Sequence, residues 1–232
     1  MKEASFRGHT FKFDETTWKP YTQISWFITD PTGDIAHRDK FFWPRPDEVV
    51  IDVGASCGGP YTIPAAICGA HVYAFEPDPM TSYALRTNTQ LNNLEHLIDI
   101  SDCAIGAENS ITAFNGSLLV DKYKNDDRFR VKCFTLDHLA LTGQIKLHRL
   151  DWIKIDVEGA ELDVLDGARQ TIVNYKPRIL IDLHPHLVNN VEHKILDWFN
   201  ELHIYYNSHF TQFSDRITPD TWYWRTYHYI DK

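Results

Sequence analysis

Charged side chains interrupt the apolar stretch 152–157, whose other residues suit a buried strand. Lys154 and Asp156 alternate with isoleucines, so both project from the same side of that strand. A lysine inside an apolar strand is costly unless an acid pairs with it. We therefore predict that Lys154, Asp156 and Glu158 form one charged catalytic cluster. Glu161 falls in the first turn of the next helix, where an acid suits the helix dipole, and we predict a structural role for it.

An acid and a histidine follow at the end of the next apolar strand. Asp182 and His184 share one side of this strand, and they lie beside Asp156 if the two strands are neighbours. An imidazole among acids can accept a proton, with His184 as the first candidate base and Asp156 as the second. The same region can instead bind a divalent metal such as Mg²⁺ or Mn²⁺ through Asp156, Asp182 and His184. The sequence leaves both possibilities open.

A glycine-rich turn follows an earlier apolar strand, and its glycines allow a ligand to approach the backbone closely. Asp52 comes just before the turn, which contains Gly54 and Gly58. The spacing differs from the Gly-x-Gly-x-x-Gly of dinucleotide sites, and an acid at Asp52 would repel a pyrophosphate. A sulfonium cofactor with an ammonium group suits that acid. The turn therefore favours S-adenosylmethionine over a dinucleotide.

Acids also follow the next two predicted strands. Glu76 ends the second strand, where a carboxylate can accept hydrogen bonds from both hydroxyls of a ribose. Asp102 and Cys103 follow the third strand, where a polar side chain can meet an adenine edge. Dinucleotide sites share the ribose acid, so Glu76 indicates a nucleoside without identifying the cofactor.

Predicted strands and helices alternate along most of the chain. The main strands are expected at 49–53, 71–75, 97–101, 152–156 and 179–183, and the helices near 61–68, 79–91, 160–174 and 191–200. A short strand at 131–134 and an antiparallel pair at 203–206 and 221–230 are expected in addition. This order predicts a doubly wound α/β fold with a mostly parallel sheet, in which ligands bind at the carboxyl ends of the strands.

The 232 residues are enough for a single globular domain. Residues 1–46 are aromatic-rich and irregular and are predicted to form an N-terminal cap, with the main domain over 47–232. The net charge of −9 argues against nucleic acid as a partner, and no apolar run reaches the length of a membrane span. Four cysteines without a CxxC pair, and an N-terminus unlike a signal peptide, predict buried thiols and a cytoplasmic protein. The aromatic residues of cap and tail suit core packing, a homodimer contact or stacking on sugars.

Four sequence blocks together resemble the FkbM family of methyltransferases. They are Val50–Gly58, Tyr73–Pro79, Thr135–Asp137 and Ile153–Glu161, and the resemblance covers about residues 48–185. It implies a class I methyltransferase with a Rossmann-like, seven-stranded sheet. It also implies that the first two blocks and the end of the third strand hold the cofactor and that Asp156–Glu158 face the transferred methyl group. The implied cofactor-binding residues are Asp52, Gly54, Ala55, Ser56, Gly58, Glu76, Pro77, Asp102, Cys103 and Asp156.

The predicted function is S-adenosylmethionine-dependent O-methylation of a hydroxyl on a sugar, a glycan or a glycosylated natural product. The donor is already activated, so positioning and a base that takes the hydroxyl proton are the main requirements. One alternative is an NAD(P)-dependent oxidoreductase, which shares Glu76 but would be expected to have Gly-x-Gly-x-x-Gly. Another is a non-catalytic cofactor-binding module, which leaves the cost of the clustered acids unexplained.

Overall fold

A computed structural model describes residues 1–14, 42–59, 61–115, 118–119, 130–185, 187–203, 206–211 and 223–229. The chain divides into two compact units, Met1–Asp102 and Cys103–Lys232. The strands of the described residues are β1 (Lys2–Phe6), β2 (His9–Phe13), β3 (Val49–Val53), β4 (His71–Phe75), β5 (Ile98–Ser101), β6 (Ala104–Ile105), β7 (Ser110–Asn115), β8 (Leu118–Leu119), β9 (Arg130–Phe134), β10 (Trp152–Ile155), β11 (Arg178–Leu183), β12 (Tyr206–Thr211) and β13 (Tyr223–Tyr229). The helices are α1 (Thr62–Ile67), α2 (Pro79–Leu91), α3 (Leu136–Leu141), α4 (Glu161–Asp166), α5 (Arg169–Tyr175) and α6 (Val191–Glu201).

The first unit contains three parallel strands in the order β3-β4-β5. All five residues of β3 are buried, as expected for an inner parallel strand whose two faces are both covered. Helices α1 and α2 follow β3 and β4, so the predicted alternation is confirmed here. The side chain of Asp78 accepts hydrogen bonds from Met80 N and Thr81 N, and Pro79 occupies the first turn of α2. This cap fixes where β4 ends and α2 begins.

The N-terminal residues differ from the irregular segment predicted over 1–46. Strands β1 and β2 form an antiparallel hairpin, in which Phe11 and Phe13 are buried and Lys12 between them is exposed. Arg7 and Gly8 have φ values of 48° and 84°, which suit a tight hairpin turn. The period-two burial pattern is thus the physical reason for strands at this position. Residues 15–41 lie outside the described residues, and the cap stays a prediction.

Four strands of the second unit pair in the order β10-β11-β13-β12. Strands β10 and β11 are parallel, while β13 pairs antiparallel with both β11 and β12. The predicted antiparallel pair in the tail is confirmed, but its first strand is Tyr206–Thr211 and not 203–206. His203 has a φ of 52° and its N–H donates to Asn200 O, so this residue ends α6 and does not begin a strand.

A second, smaller sheet of the same unit has the order β6-β9-β7-β8, and only β9 was predicted. Strand β6 has two residues, too few for a periodic pattern. In β7 the apolar Ile111 is exposed while Ala113 is buried, so hydrophobicity does not mark the buried face. These strands carry little of the alternating signal on which a sequence-based prediction depends.

The single helix predicted over 160–174 is two helices, α4 and α5. A Cβ on Gly167 would lie 2.0 Å from Gly106 O, so only glycine allows the two backbone segments to approach here. The carboxylate of Asp137 accepts hydrogen bonds from Gln170 N and Thr171 N and thereby caps the start of α5. Both contacts join residues distant in sequence, which is why the periodicity of the segment did not indicate the break.

Cysteine burial largely follows the prediction. Cys57, Cys103 and Cys133 are buried, whereas Cys68 is only half-buried. Burial raises the pKa of the Cys57 thiol to about 12 and that of the Cys133 thiol to about 11. Thiols with such pKa values remain protonated and unreactive. In the part of the chain that the structure describes, no helix has the length and apolar character that a membrane crossing requires.

Candidate active site

The glycine turn, residues 54–59, is fixed at the carboxyl ends of β3 and β4. Gly54 N and Ala55 N both donate to Phe75 O at 3.0 Å, which ties the end of one strand to the end of the next. Gly54 and Gly58 have φ values of 77° and 81°, a region that strongly favours glycine. Asn88 Nδ2 on α2 donates to Cys57 O at 3.0 Å. The turn is therefore held from two sides in one defined conformation.

Substitution of Gly58 by alanine is expected to destabilise the fold by about 2–4 kcal/mol, the sum of backbone strain and overpacking. The new Cβ would lie 2.5 Å from Leu85 Cδ1 and 3.2 Å from Ile63 Cγ1, both on buried side chains. Gly143→Ala is the matched control, because Gly143 has a φ of 72° and nothing within 4 Å of an added Cβ. Urea unfolding measures both variants, and equal losses of stability would contradict the packing contribution.

Asp52 comes just before the glycine turn in the chain and is buried near the end of β3. Its Oδ2 accepts a hydrogen bond of 2.6 Å from Thr62 Oγ1 at the start of α1. This bond positions the first turn of α1 against β3. Asp52 therefore has a structural role within the chain, and its predicted interaction with the cofactor stays a prediction.

Glu76 connects the glycine turn to the start of α2. Its Oε2 accepts from Ser56 N at 2.8 Å and its Oε1 accepts from Asp78 N at 2.9 Å, and the side chain is buried. A carboxylate has about four lone-pair sites, so both oxygens can still accept from ribose hydroxyls. Ser56 has a φ of 52°, an uncommon conformation for a residue with a side chain. The neighbouring Pro77 is half-buried.

Asp102 is directed at α2. Its Oδ1 lies 2.8 Å from Arg86 Nη2 and accepts a hydrogen bond from Ser82 Oγ. The next residue, Cys103, is buried. These contacts fix the carboxylate on the helix at the end of β5, and the predicted adenine contact stays a prediction.

The parallel pairing of β10 and β11 brings the second set of predicted residues together. Lys154 is in register with Leu180, so Lys154, Asp156, Asp182 and His184 all project from one face. The predicted adjacency of the two strands is thus confirmed. Lys154 is buried, and its Nζ lies 3.7 Å from Asp156 Oδ2, as expected for a lysine inside a strand.

His184 lies at the centre of what we call the acid–histidine cluster, which consists of Asp156, Glu158, Glu161 and His184. Its Nε2 lies 3.4 Å from Glu158 Oε2 and 3.9 Å from Asp156 Oδ1. Its Nδ1 lies 2.8 Å from Glu161 Oε1. His184 is only 3 % exposed and Glu161 is 0 % exposed, whereas the side chain of Asp156 is 29 % exposed. One imidazole thus faces three carboxylates, and those of Asp156 and Glu158 are accessible to solvent.

Glu161 is the residue of this cluster to which sequence reasoning gave only a structural role. The signal that could have indicated more is its place in the block Asp156–Glu161, directly after a strand that ends in acids. Glu158 and Gly159 have φ values of 52° and 101°, so the chain turns back sharply between Asp156 and Glu161. That turn brings the two acids onto the same histidine.

Asp182 was predicted to bind a metal together with Asp156 and His184, but it does not belong to the group of possible ligands that the described residues bring together. The ligand atoms of Asp156, Glu158 and His184 lie within 4.8 Å of one another, so Glu158 takes the place expected for Asp182. Asp182 is 4 % exposed, and among the described residues its Oδ1 has no hydrogen-bond partner. Burial and the charge of Asp156 raise the pKa of Asp182 well above its usual range. The geometry of the ligand atoms thus leaves Asp182 outside this group.

Comparison with known proteins assigns the chain to a family. The sequence model of the methyltransferase FkbM domain matches residues 52–208, which include the glycine turn and the acid–histidine cluster. The chain belongs to the FkbM methyltransferase family. The match confirms the resemblance inferred from the four sequence blocks.

Individual relatives agree with this FkbM assignment. Hexuronic acid methyltransferase AglP of Haloferax volcanii is 31 % identical over 147 residues, which are 60 % of this chain and 56 % of that protein. The crystal structure of methyltransferase FkbM from Methylobacillus flagellatus KT has a TM-score of 0.60 at 21 % identity, covering 83 % of this chain and 46 % of that one. The chain thus spans about half the length of these two relatives.

A further structure, of M. jannaschii TYW2 in complex with AdoMet, has a TM-score of 0.52 at 17 % identity, covering 99 % of this chain and 86 % of that one. At such identities the likeness concerns the fold alone. The FkbM domain therefore has the predicted class I methyltransferase-like α/β fold with a central, mostly parallel sheet.

The charge of His184 in the FkbM domain is set by the surrounding acids. Burial by itself lowers the pKa of this imidazole, but the hydrogen bond to Glu161 and the charges of Asp156, Asp182 and Glu158 outweigh it. The pKa of His184 is raised from its ordinary value of 6.5 to about 10. At neutral pH the ring is therefore an imidazolium, with both nitrogens as donors.

The raised pKa of His184 predicts a pH-dependent stability. The folded protein binds the proton of His184 more tightly than the unfolded chain does, and this stabilises the fold fully at pH values below the unfolded pKa of 6.5. The stabilisation is lost as the pH rises towards the folded pKa of about 10. The free energy of unfolding should fall over this window by up to about 1.4 kcal/mol per pH unit. Urea unfolding between the two pH values tests this, with His184→Asn as the control that lacks the titrating ring. Identical slopes in both proteins would rule out His184 as the source.

Proposed function

We propose that this chain transfers a methyl group from S-adenosylmethionine to a hydroxyl of a sugar or glycan. The observation that carries the proposal is the acid–histidine cluster at the carboxyl ends of β10 and β11 of an FkbM domain. Ligands of parallel sheets bind at this edge of the strands. A relative that bears the name hexuronic acid methyltransferase supports a sugar acceptor. Within the first unit β3, β4 and β5 pair in parallel, and within the second unit β10 and β11 pair in parallel while β13 pairs antiparallel with β11 and β12, which supports the proposed seven-stranded sheet.

Most of the proposed donor-site residues lie in the first unit, and their chemistry fits the cofactor. Asp52 and Glu76 supply negative charge beside a turn that lacks the dinucleotide spacing, which suits a cationic sulfonium and not a pyrophosphate. We assign the ribose to Glu76, the adenine to Asp102 and Cys103, and the methionine part to Asp52 and the turn. The remaining proposed contacts come from Gly54, Ala55, Ser56, Gly58 and Pro77. When bound, S-adenosylmethionine supplies an activated methyl group.

The second unit handles the proton of the acceptor hydroxyl. Because the acids raise the pKa of His184 to about 10, the imidazole already carries a proton at neutral pH. We therefore assign the role of base to Asp156, whose side chain is more accessible to solvent than that of His184. This assignment reverses the order of the two candidate bases proposed from the sequence. Lys154 and the imidazolium of His184 hold the Asp156 carboxylate in place. The carboxylate of Glu158 is also accessible to solvent and lies beside the same nitrogen of His184.

A metal ion is the second candidate for activating the hydroxyl, favoured by the proximity of Asp156, Glu158 and His184. Proton transfer to Asp156 needs no metal ion, so we expect activity that is unchanged after treatment with EDTA. A loss that Mn²⁺ or Mg²⁺ restores would instead favour the metal.

The proposed function is tested with S-adenosylmethionine labelled in its methyl group and a panel of hexuronic acid oligosaccharides. Each oligosaccharide is paired with a carboxyl-reduced counterpart that keeps its hydroxyls. We expect label on both members of a pair and stability of the label to mild alkali, as an ether requires. Alkali-labile label that is absent from the reduced member would indicate a methyl ester and overturn the hydroxyl as acceptor.

The same preparation separates the other two functions. A thermal shift with NAD(P), and none with S-adenosylmethionine, would favour an oxidoreductase. Binding of S-adenosylmethionine with no transfer to any member of a broad acceptor panel would favour a non-catalytic module.

A further inference from the structure

We propose that Glu161 is a positioning residue for methyl transfer, which holds the ring of His184 so that Nε2 faces Asp156 and Glu158. This inference rests on the proposed function. It assigns a role in turnover to a residue whose sequence position suggested only helix stabilisation.

The geometry leaves the imidazole one orientation. Glu161 Oε1 lies 2.8 Å from His184 Nδ1, and it also accepts from Gly159 N at 2.9 Å. The carboxylate is thus anchored to the backbone of the turn that carries Glu158. With Nδ1 engaged, Nε2 is the ring nitrogen that lies 3.4 Å from Glu158 Oε2 and 3.9 Å from Asp156 Oδ1.

Helix stabilisation alone does not account for the burial of Glu161. An acid in the first turn of a helix contributes about 0.3–1 kcal/mol, and it does so equally well when exposed to solvent. Removing a carboxylate from water costs several kcal/mol unless charged and hydrogen-bonding partners compensate. Glu161 is 0 % exposed, and among the described residues its Oε2 has no hydrogen-bond partner. The contacts with His184 and with Gly159 N compensate for this cost, and His184 is the charged partner among them.

The orientation of the ring matters because only Nε2 reaches the accessible acids. A carboxylate that fixes the tautomer and orientation of a histidine is a recurrent arrangement in active sites. Here it gives Asp156 a fixed donor, so the carboxylate that takes the hydroxyl proton keeps one position. Loss of Glu161 should therefore lower kcat and leave the binding of both substrates unchanged.

The test is a double-mutant cycle with Glu161→Gln, His184→Gln and the combined variant. The glutamine of the first variant would keep the size and one oxygen of Glu161 but carries no negative charge, so it holds the Nδ1–H of the imidazolium less firmly and no longer fixes the orientation of the ring. We expect Glu161→Gln to lower kcat about 10²-fold with unchanged KM and unchanged affinity for S-adenosylmethionine. Because Glu161 acts through His184, the combined variant should be no slower than His184→Gln.

Glu48→Gln is the matched control, since Glu48 is also a buried acid and accepts a hydrogen bond from Arg45 N at 3.0 Å. This control should lose stability and keep kcat. A Glu161→Gln variant that does likewise would overturn the proposal, and so would losses of kcat that multiply in the combined variant.

Imidazole ¹⁵N NMR of His184 separates a failure of this inference from a failure of the proposed function. Wild type is expected to show a protonated Nδ1 with a strong hydrogen bond, and Glu161→Gln a shifted Nδ1 signal, whether or not any acceptor is methylated. If the NMR signals behave as expected but the wild type transfers no methyl group, the proposed function is refuted and the contact between Glu161 and His184 is not. An Nδ1 signal that Glu161→Gln leaves unchanged would refute the positioning.

Discussion

Asp156→Asn is expected to lower kcat by about 10²–10⁴-fold, the usual contribution of a general base. Asparagine keeps the shape of the side chain but cannot take the hydroxyl proton. The affinity for S-adenosylmethionine, measured by calorimetry, should remain within about twofold, because the cofactor is assigned mainly to the glycine turn and Glu76, and Asp156 to the acceptor hydroxyl. A larger loss would instead favour the cofactor contact that the family resemblance implies for Asp156. Single-turnover transfer of labelled methyl measures the loss directly.

Asp197→Asn is the matched control, because Asp197 is an exposed acid on α6 in the same unit. It should leave kcat unchanged. His184→Asn distinguishes the two candidate bases, since Asn Nδ2 can replace His184 Nδ1 beside Glu161 while Nε2 is lost. A nearly normal kcat in Asp156→Asn, together with an inactive His184→Asn, would transfer the role of base to the histidine.

Glu76→Gln is expected to weaken the binding of S-adenosylmethionine about 100-fold, which corresponds to roughly 3 kcal/mol. The charged carboxylate would be lost as an acceptor for the ribose hydroxyls, and hydrogen bonds to charged groups contribute about 1.5–3 kcal/mol each. In the wild type, Ser56 N and Asp78 N each donate to a different carboxylate oxygen of Glu76. The amide of glutamine has a single oxygen, so one of these two hydrogen bonds would also be lost. Calorimetric titration with S-adenosylmethionine measures the affinity.

Glu95→Gln is the control for this substitution, because Glu95 is an exposed acid in the same unit. Thermal unfolding of both variants without ligand shows how much of the effect comes from a displaced glycine turn. Tight binding by a folded Glu76→Gln protein would remove Glu76 from the donor site.

The main strands were predictable because burial on both faces leaves a strong local mark. Strands β3 and β4 occupy the residues predicted for them, and α2 begins at Pro79 as its capping residues indicate. Strand β7 was missed because its apolar Ile111 faces solvent. The break between α4 and α5 was missed because it depends on contact between Gly167 and Gly106, which no local pattern encodes.

By itself, the sequence determined which residue types end the strands and on which side of each strand they project, since both follow from local spacing. It also indicated the FkbM family, through four short blocks. The tertiary structure alone decided that Glu161 meets His184, that Glu158 and not Asp182 joins the group, and that the imidazole carries a proton at neutral pH. The physical reason is that electrostatic energy depends on distance and burial. Both arise only when strand register and turn geometry bring separate segments together.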